Sequence, residues 1–285
     1  MNIGIDIGGT KVRAGLVADG KVLKKSEIRH DFNVTSKQII ESIITLSNQL
    51  PDKRPKGIGI GVPGILSKDR SIWIRSPNQR RIKNLRLAAI ISRELGIKAK
   101  VENDANAIAL GELHYGVGRN EDNFVVITFG GGIGAGIIID RKLYTGKASA
   151  GEIGHMTIVE NGLKCACGGR GCWEEYASVK AVRRLAMKYF KKEMSAIELS
   201  ALAEDGNRKA LQLFSEMGNY LGIGMRNIAN IFDPDVIVIA GGLSNTFKFM
   251  GKAAKQAMKD YCPETRLETS KVKDIEILGP ESLLH

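Results

Sequence analysis

Long apolar runs are missing from this chain of 285 residues. A membrane-spanning helix needs about 20 consecutive apolar residues, and no stretch approaches that length, so no such helix is expected. The first residues, Met1–Asp6, lack the basic segment of a signal peptide and are typical of a strand. Together these absences predict a cytoplasmic protein with no membrane partner.

Cysteine is scarce as well, with four residues in the whole chain. So few thiols in a long chain exclude a disulfide framework and favour a reducing compartment. Three of the four, Cys165, Cys167 and Cys172, fall within eight residues, a clustering that is typical of metal ligands. The fourth, Cys262, is expected to be an ordinary residue at a helix end.

Acidic residues are outnumbered, because 42 Lys and Arg against 31 Asp and Glu leave a net charge of +11. A large positive charge is one mark of nucleic-acid binding. The basic pairs are nevertheless scattered along the chain, at Arg80–Arg81, Arg183–Arg184 and Lys191–Lys192. We therefore expect a small anionic substrate such as a nucleotide, and no nucleic-acid partner.

Glycine is abundant, with 33 residues, which predicts many tight turns or close backbone contacts with a ligand. The length and the ordinary apolar content predict a globular α/β protein of about two domains. Each half of the chain repeats one order of elements, namely strands joined by tight turns, then helices, a strand and a helix. The composition becomes polar and glycine-rich near 116–123, which predicts domains 1–118 and 119–285.

The first motif with chemical meaning is a turn that runs from Asp6 to Lys11. Its candidates for phosphate and magnesium binding are Asp6, Gly8, Gly9, Thr10 and Lys11. The backbone N–H groups of such a turn can bind phosphate oxygens, and a carboxylate at the strand end can hold a hydrated magnesium ion. An ordinary hairpin is an equally compatible interpretation of this turn alone.

A second glycine turn, Gly130–Gly132, occupies the same place in the second half, between two strands. Two such turns predict a phosphate clamp more specifically than one does. Neither turn continues into the Lys-Ser or Lys-Thr of a Walker loop or into the helix of a dinucleotide-binding motif. A third turn, Gly241–Gly242, follows a buried strand and is compatible with adenosine binding or with close strand–helix packing.

A carboxylate, Asp104, follows a predicted strand and stands at a helix start within Glu102–Asn106. Aspartate at such a place is often only an N-cap. It also suits a general base that takes a proton from a substrate hydroxyl while the oxygen attacks a phosphoryl group. Because two phosphate turns occur elsewhere in the chain, we favour the base.

The most specific motif joins one histidine to the clustered cysteines. Its members are His155, Cys165, Cys167 and Cys172. Four ligands of these types complete a tetrahedral zinc site and leave no position for a water nucleophile. The zinc is therefore expected to be structural and to stabilise a loop. Two carboxylates, Glu152 and Glu174, flank the set.

Together these motifs resemble the ROK family (repressors, open reading frames, sugar kinases), from Asn2 to about Leu278. The strongest element is the pattern Glu-x-Gly-His…Cys-x-Cys-Gly-x-x-Gly-Cys-x-Glu, which here runs from Glu152 to Glu174. The resemblance implies an α/β fold of two actin-like (ribonuclease H-like) lobes with mixed sheets and an interlobe cleft. It also implies a kinase that uses ATP and magnesium to phosphorylate a hexose hydroxyl, usually O6 of glucose or a related hexose.

The resemblance further implies roles for single residues. Asp104 would be the general base, and the sugar would be bound by Gly64, Asn103, Asp104, Glu152, His155 and Glu174. ATP and magnesium would be bound by Asp6, Gly8, Gly9, Thr10, Lys11, Gly130, Gly131, Gly132, Gly241 and Gly242. A structural zinc would be held by His155, Cys165, Cys167 and Cys172.

The chain departs from the family pattern in two places. Gly131 stands where relatives usually have threonine, so the second turn loses one hydroxyl donor and keeps its backbone donors. Relatives also continue past Leu278–Gly279 with a helix that packs on the N-terminal lobe. Because this chain stops at His285, it is expected to be one helix short.

The same family offers other functions. An N-acetylmannosamine or N-acetylglucosamine kinase would use the same ligand types, and the loop around Arg75–Arg81, with Gly64, is expected to determine the sugar. A sugar-sensing DNA-binding regulator is disfavoured because the first strand begins at Asn2 and leaves no room before it for a helix-turn-helix domain. The resemblance also implies a homodimer or homotetramer.

Overall fold

The chain is described by a computed structural model that covers residues 1–31, 33–50, 55–77, 79–258 and 264–285. These residues form two compact units. Unit 1 comprises Met1–Asn120, Arg141–Ala150 and Lys271–His285, and unit 2 comprises Glu121–Asp140 and Gly151–Ser270. Cys262 lies outside the described residues, as does Asn78 in the loop around Arg75–Arg81.

Unit 1 is built on a mixed sheet of five strands. In chain order these are β1 (Asn2–Ile7), β2 (Lys11–Ala18), β3 (Lys21–Arg29), β4 (Gly57–Val62) and β8 (Lys98–Asn103). Their order in the sheet is β3-β2-β1-β4-β8. The first three are antiparallel, and β1, β4 and β8 are parallel. A smaller antiparallel sheet contains β5 (Ile65–Leu66), β6 (Trp73–Arg75) and β7 (Lys83–Leu85).

The five-stranded sheet has one isoleucine face and one glycine face, because successive strand residues point to opposite sides. Ile3 and Ile5 on β1 and Ile58 on β4 are fully buried in the core of unit 1. The helices that contribute apolar residues to this core are α1 (Ser36–Gln49) and α2 (Leu87–Leu95). Thr35 caps the start of α1, and Gly96 ends α2 in a left-handed conformation.

The glycine face of the sheet is covered by the last helix, α8 (Ile275–Glu281). A Cβ atom at Gly4 would overlap the carbonyl oxygen of Ile277, and one at Gly59 would overlap that of Pro280. Glycine on alternate positions of β1 and β4 therefore lets the helix backbone approach the sheet. The sequence-based expectation placed the helix on the N-terminal part after Leu278–Gly279, whereas the helix that packs there, α8, contains these residues and forms despite Pro280.

The same packing changes the division of the chain. The sequence-based boundary assigned everything after 118 to one domain. In the structure, Lys271–His285 belongs to unit 1 because α8 packs against β1 and β4. The segment Arg141–Ala150, which contains β11 (Lys142–Tyr144), is also grouped with unit 1.

Unit 2 repeats the central sheet arrangement of unit 1. Its strands are β9 (Phe124–Phe129), β10 (Ile133–Ile139), β12 (Val236–Ala240) and β13 (Arg266–Thr269). They follow the order β10-β9-β12-β13, with an antiparallel first pair and parallel pairs after it, as in β2-β1-β4-β8. The repeated order of elements predicted from the sequence is therefore present, and the mixed sheets confirm an α/β fold.

Four helices complete unit 2. They are α4 (Val179–Phe190), α5 (Ala196–Glu204), α6 (Arg208–Phe232) and α7 (Phe247–Met258). All four contribute buried residues to the core that covers β9 and β12. None of the helices within the described ranges is long and apolar enough to span a bilayer.

Candidate active site and metal cluster

The first glycine turn joins β1 to β2 and is closed by its own hydrogen bond. The Gly8 amide donates to the Lys11 carbonyl at 2.8 Å, and the Gln79 side chain donates to the Gly8 carbonyl at 2.7 Å. The Lys11 ammonium lies 2.7 Å from Glu27. The turn is thus tightly held, and because the Gly8 amide is already bonded, phosphate donors at this turn would come from the residues that follow it.

Asp6 lies at the end of β1 in a cluster of acidic side chains. Burial and the nearby Asp104 carboxylate raise the pKa of Asp6 to about 7, and Glu276 adds to the effect. Arg13, opposite Asp6 in the sheet, lies 3.3 Å from its carboxylate and opposes the rise only in part. Carboxylate oxygens are the ligands that magnesium prefers, and a cation here would offset the excess negative charge. Asp6 therefore fits the magnesium role implied by the resemblance.

Asp6 gives a pH-dependent prediction for unit 1. Its folded pKa is raised from 3.8 to about 7, so its protonated form stabilises the fold at low pH, and that contribution is lost progressively as the pH rises from 3.8 to about 7. The D6N side chain cannot ionise. The free energy of unfolding of D6N, relative to that of wild type, should therefore be about 2 kcal/mol higher at pH 8 than at pH 5. Urea unfolding at both pH values, without magnesium, measures this difference. A stability difference between D6N and wild type that is equal at both pH values would contradict the raised pKa.

Asn103 and Asp104 form the junction between β8 and the helix α3 (Asp104–Tyr115). The N-cap is Asn103, whose side-chain oxygen accepts hydrogen bonds from the amides of Ala105 and Asn106 at 3.0 and 3.2 Å. Asp104 is the first helical residue, so capping does not explain its presence. A carboxylate there is favoured by the helix dipole and lies beside Asp6.

Gly64 lies next to this junction. The Asn103 side-chain amide donates to the Gly64 carbonyl at 3.2 Å. Gly64 has a φ of 90°, and a Cβ atom there would come within 2.8 Å of the ring of Pro77, so only glycine fits. Unit 1 therefore brings together three of the predicted sugar-binding residues, Gly64, Asn103 and Asp104.

In unit 2 the second and third glycine turns are adjacent. The Gly130–Gly132 turn is closed by a bond from the Gly130 amide to the Gly132 carbonyl at 3.1 Å. A Cβ atom built on Gly130 would lie 3.9 Å from the Gly242 amide nitrogen, and Cβ atoms on Gly131 and Gly242 would meet nothing within 4 Å. Two open glycine turns side by side leave room for a phosphate or a nucleotide against the backbone.

The predicted metal ligands come together in a loop of unit 2. The four ligand atoms of His155, Cys165, Cys167 and Cys172 all lie within 4.8 Å of one another. Cys165 Sγ is 3.7 Å from His155 Nδ1, and Cys167 Sγ is 3.6 Å from Cys172 Sγ. A tetrahedral zinc site with bonds of about 2.3 Å has edges of about 3.8 Å, so this set fits zinc with four protein ligands.

The environment of the thiols also suits a metal. Burial raises the pKa of Cys165 and of Cys172, whereas the Gly169 amide, which donates to Cys167 at 3.4 Å, lowers the pKa of Cys167. A bound cation would favour the thiolate form that burial disfavours. The described residues contain a second possible ligand group, Cys165 with Glu174 and Glu175, but the Lys180 ammonium already pairs with both carboxylates at 2.8 Å.

Glu152 and Glu174 lie beside this metal cluster, of which His155 is a member. His155 turns Nδ1 toward Cys165 and Nε2 toward Glu152, whose carboxylate is 3.9 Å away. Glu174 accepts from Cys165 Sγ at 3.4 Å, and its second oxygen lies 2.6 Å from where a Gly132 Cβ would be. Unit 2 therefore gathers these predicted sugar ligands beside both the metal cluster and the second glycine turn.

Three cations that support these sites were not singled out from the sequence. They are Arg13 beside Asp6, Arg70 beside Glu102, and Lys180 beside Glu174. Each pairs with a carboxylate, and for Arg70 and Glu102 the two partners are far apart in the chain. A sequence pattern cannot show such a pair, because it contains no distance between separate segments.

Known proteins resemble this chain along most of its length. The model of the ROK family matches residues 2–277. The glucokinase of Thermotoga maritima is 32% identical over 308 residues, covering 99% of this chain and 96% of that protein. The xylose repressor of Bacillus subtilis is 36% identical over 252 residues, covering 85% of this chain and 64% of the repressor.

A solved structure resembles the fold closely. The ROK family glucokinase from Streptomyces griseus, in complex with glucose and AMPPNP, has a TM-score of 0.88 at 28% identity, covering 99% of this chain and 98% of that one. The likeness confirms the predicted fold class, an α/β chain of two actin-like units with mixed sheets.

Proposed function

Because the chain belongs to the ROK family, we propose that it is an ATP-dependent kinase that phosphorylates a hexose hydroxyl, O6 of glucose or of a related hexose. The chain matches 96% of the length of the Thermotoga glucokinase but 64% of the length of the Bacillus xylose repressor. The match therefore covers nearly all of the kinase and only part of the repressor. The single observation that carries the proposal is Asp104, a carboxylate at a helix start that the neighbouring Asn103 already caps.

In the proposed reaction, Asp104 accepts the proton of the sugar hydroxyl. The freed oxygen attacks the γ-phosphorus of ATP in line, a new P–O bond forms, and the bond to ADP breaks. Asn103 and Gly64 would bind and orient the sugar. Magnesium, held with the help of Asp6, would offset the charge of the phosphates when bound.

Unit 2 would contribute binding groups rather than the base. The Gly130–Gly132 turn offers backbone donors to phosphate oxygens, and Gly241–Gly242 gives space for the adenosine. Glu152, His155 and Glu174 would accept or donate hydrogen bonds to sugar hydroxyls. The zinc would be structural, because its four protein ligands leave no open position for substrate.

The proposal is tested by measuring ADP release from ATP and magnesium with a panel of glucose, mannose, fructose, N-acetylglucosamine and N-acetylmannosamine. We expect at least one sugar to raise the rate well above that of D104N, and the ranking of kcat/KM identifies the substrate. The highest kcat/KM on an N-acetylated sugar would assign the chain to the alternative kinase. Sugar binding without ADP release would instead favour a sugar-sensing regulator, the alternative suggested by the relatives named xylose repressors.

A further inference from the structure

The turn between β5 and β6 contains an arginine, Arg70, whose side chain is largely buried within unit 1. Asp69 organises this turn, because its carboxylate accepts hydrogen bonds from the Ser67 hydroxyl at 2.6 Å and from the Ser71 hydroxyl and amide at 2.8 and 3.1 Å. Arg70 follows in a left-handed conformation with a φ of 60°, and its amide donates to the Ser67 carbonyl at 2.9 Å. Hydrogen bonds within the turn therefore hold the backbone of Arg70 in place.

The Arg70 side chain makes a buried ion pair with Glu102 on β8. Its Nε donates to Glu102 Oε2 at 2.6 Å, and its Nη1 donates to the Ser67 carbonyl at 3.2 Å. The side chains are 17% and 7% exposed. A pair like this contributes little net stability over apolar residues, because desolvation offsets the attraction, but it holds both partners in one geometry.

Glu102 links this ion pair by hydrogen bonds to the start of α3. Its Oε1 accepts from the backbone amide of Asn103 at 2.9 Å and from the side-chain amide of Asn106 at 3.0 Å. Asn106 in turn donates its backbone amide to the Asn103 cap. Both oxygens of Glu102 are thus bonded, one to Arg70 and the other to the residues on either side of Asp104.

We propose that Arg70 is a positioning residue for the proposed phosphoryl transfer, holding Asn103 and Asp104 in place through Glu102. The inference rests on the proposed function. Arg70 itself does not touch the reacting atoms. A general base must stay within hydrogen-bond reach of the hydroxyl it deprotonates, so a small shift of the β8–α3 junction lowers the rate strongly.

The test compares R70Q, R70K, E102Q and the double variant R70Q/E102Q with wild type. R93Q, at an exposed position on α2, is the matched control. We expect R70Q to lower kcat about 30-fold or more with the KM for ATP within twofold of wild type. R70K keeps the charge and should recover most of that loss. If Arg70 acts through Glu102, the double variant loses no more than the worse single variant.

A second readout does not depend on activity. Hydrogen exchange of the amides at 103–107 should become faster in R70Q and remain unchanged in R70K and R93Q. If R70Q fails to fold, the double variant is compared with R70K instead. The two neutral side chains of the double variant can still hydrogen-bond to each other.

The outcomes separate this inference from the proposed function. An R70Q enzyme that folds and works within threefold of wild type overturns the inference, as do single-variant losses that multiply in the double variant. A wild-type chain that phosphorylates no sugar overturns the proposed function. In that case the exchange rates still decide whether Arg70 orders the start of α3.

Discussion

Changing Asp104 to asparagine is expected to lower kcat for sugar phosphorylation by about a thousandfold, the usual size of a general-base contribution. The chain should still fold, because Asn103 rather than Asp104 caps α3. Asparagine keeps the size of the side chain and an oxygen that can accept from the Ala105 amide, as Asp104 does at 2.9 Å. It lacks the carboxylate that takes the proton.

Steady-state ADP release and calorimetric sugar binding measure the two halves of this prediction. Sugar affinity should stay within about tenfold of wild type, since one hydrogen bond is weakened and not removed. The control is D19N, which changes an exposed carboxylate in the β2–β3 turn of the same unit and should leave kcat within a fewfold. Turnover of D104N above a tenth of the wild-type value would mean that another group is the base.

The second large effect concerns the metal cluster. The purified chain should contain one zinc ion, and C172S should lose it together with several kcal/mol of stability, since metal binding in such sites contributes about 10 kcal/mol or more. Cys172 is 2% exposed and ends the loop that also holds His155, so its loss would release the loop around Glu152 and Glu174. We therefore expect sugar affinity to fall along with the melting temperature.

Elemental analysis and thermal melting with and without a chelator provide the measurements. C262S changes the cysteine that is not one of the four proposed ligands and should leave the zinc content unchanged. A chain that contains no zinc and melts at the same temperature with and without chelator would rule out the zinc site.

The parts of the site that lie close together in sequence could be predicted from it. The glycine turns, the Asn103–Asp104 junction and the spacing of His155 with the three cysteines are short patterns whose chemistry follows from residue type. The structure places Gly64 with Asn103 and Asp104 in unit 1, and the metal ligands with Glu152 and Glu174 in unit 2.

Features that depend on distant segments could not be predicted. α8 has seven residues and contains Pro280, so its local sequence argues against a helix, and its packing on the glycine face of β1 and β4 provides the missing stabilisation. In Gly57–Val62 glycine alternates with apolar residues, but this pattern does not show which element covers the strand. The Arg70–Glu102 pair joins a turn to a strand across unit 1 and leaves no local pattern.

The packing of α8 also affects how the protein matures during translation. Domains usually fold in the order in which they leave the ribosome, beginning at the N-terminus. Unit 1 cannot follow that order, because Gly4 and Gly59 stay uncovered until Ile275–Glu281 has been synthesised. Unit 2 has all its residues earlier, so it is expected to fold first. A nascent chain that stalls shortly before α8 emerges would expose one face of a sheet, which is a surface that chaperones bind.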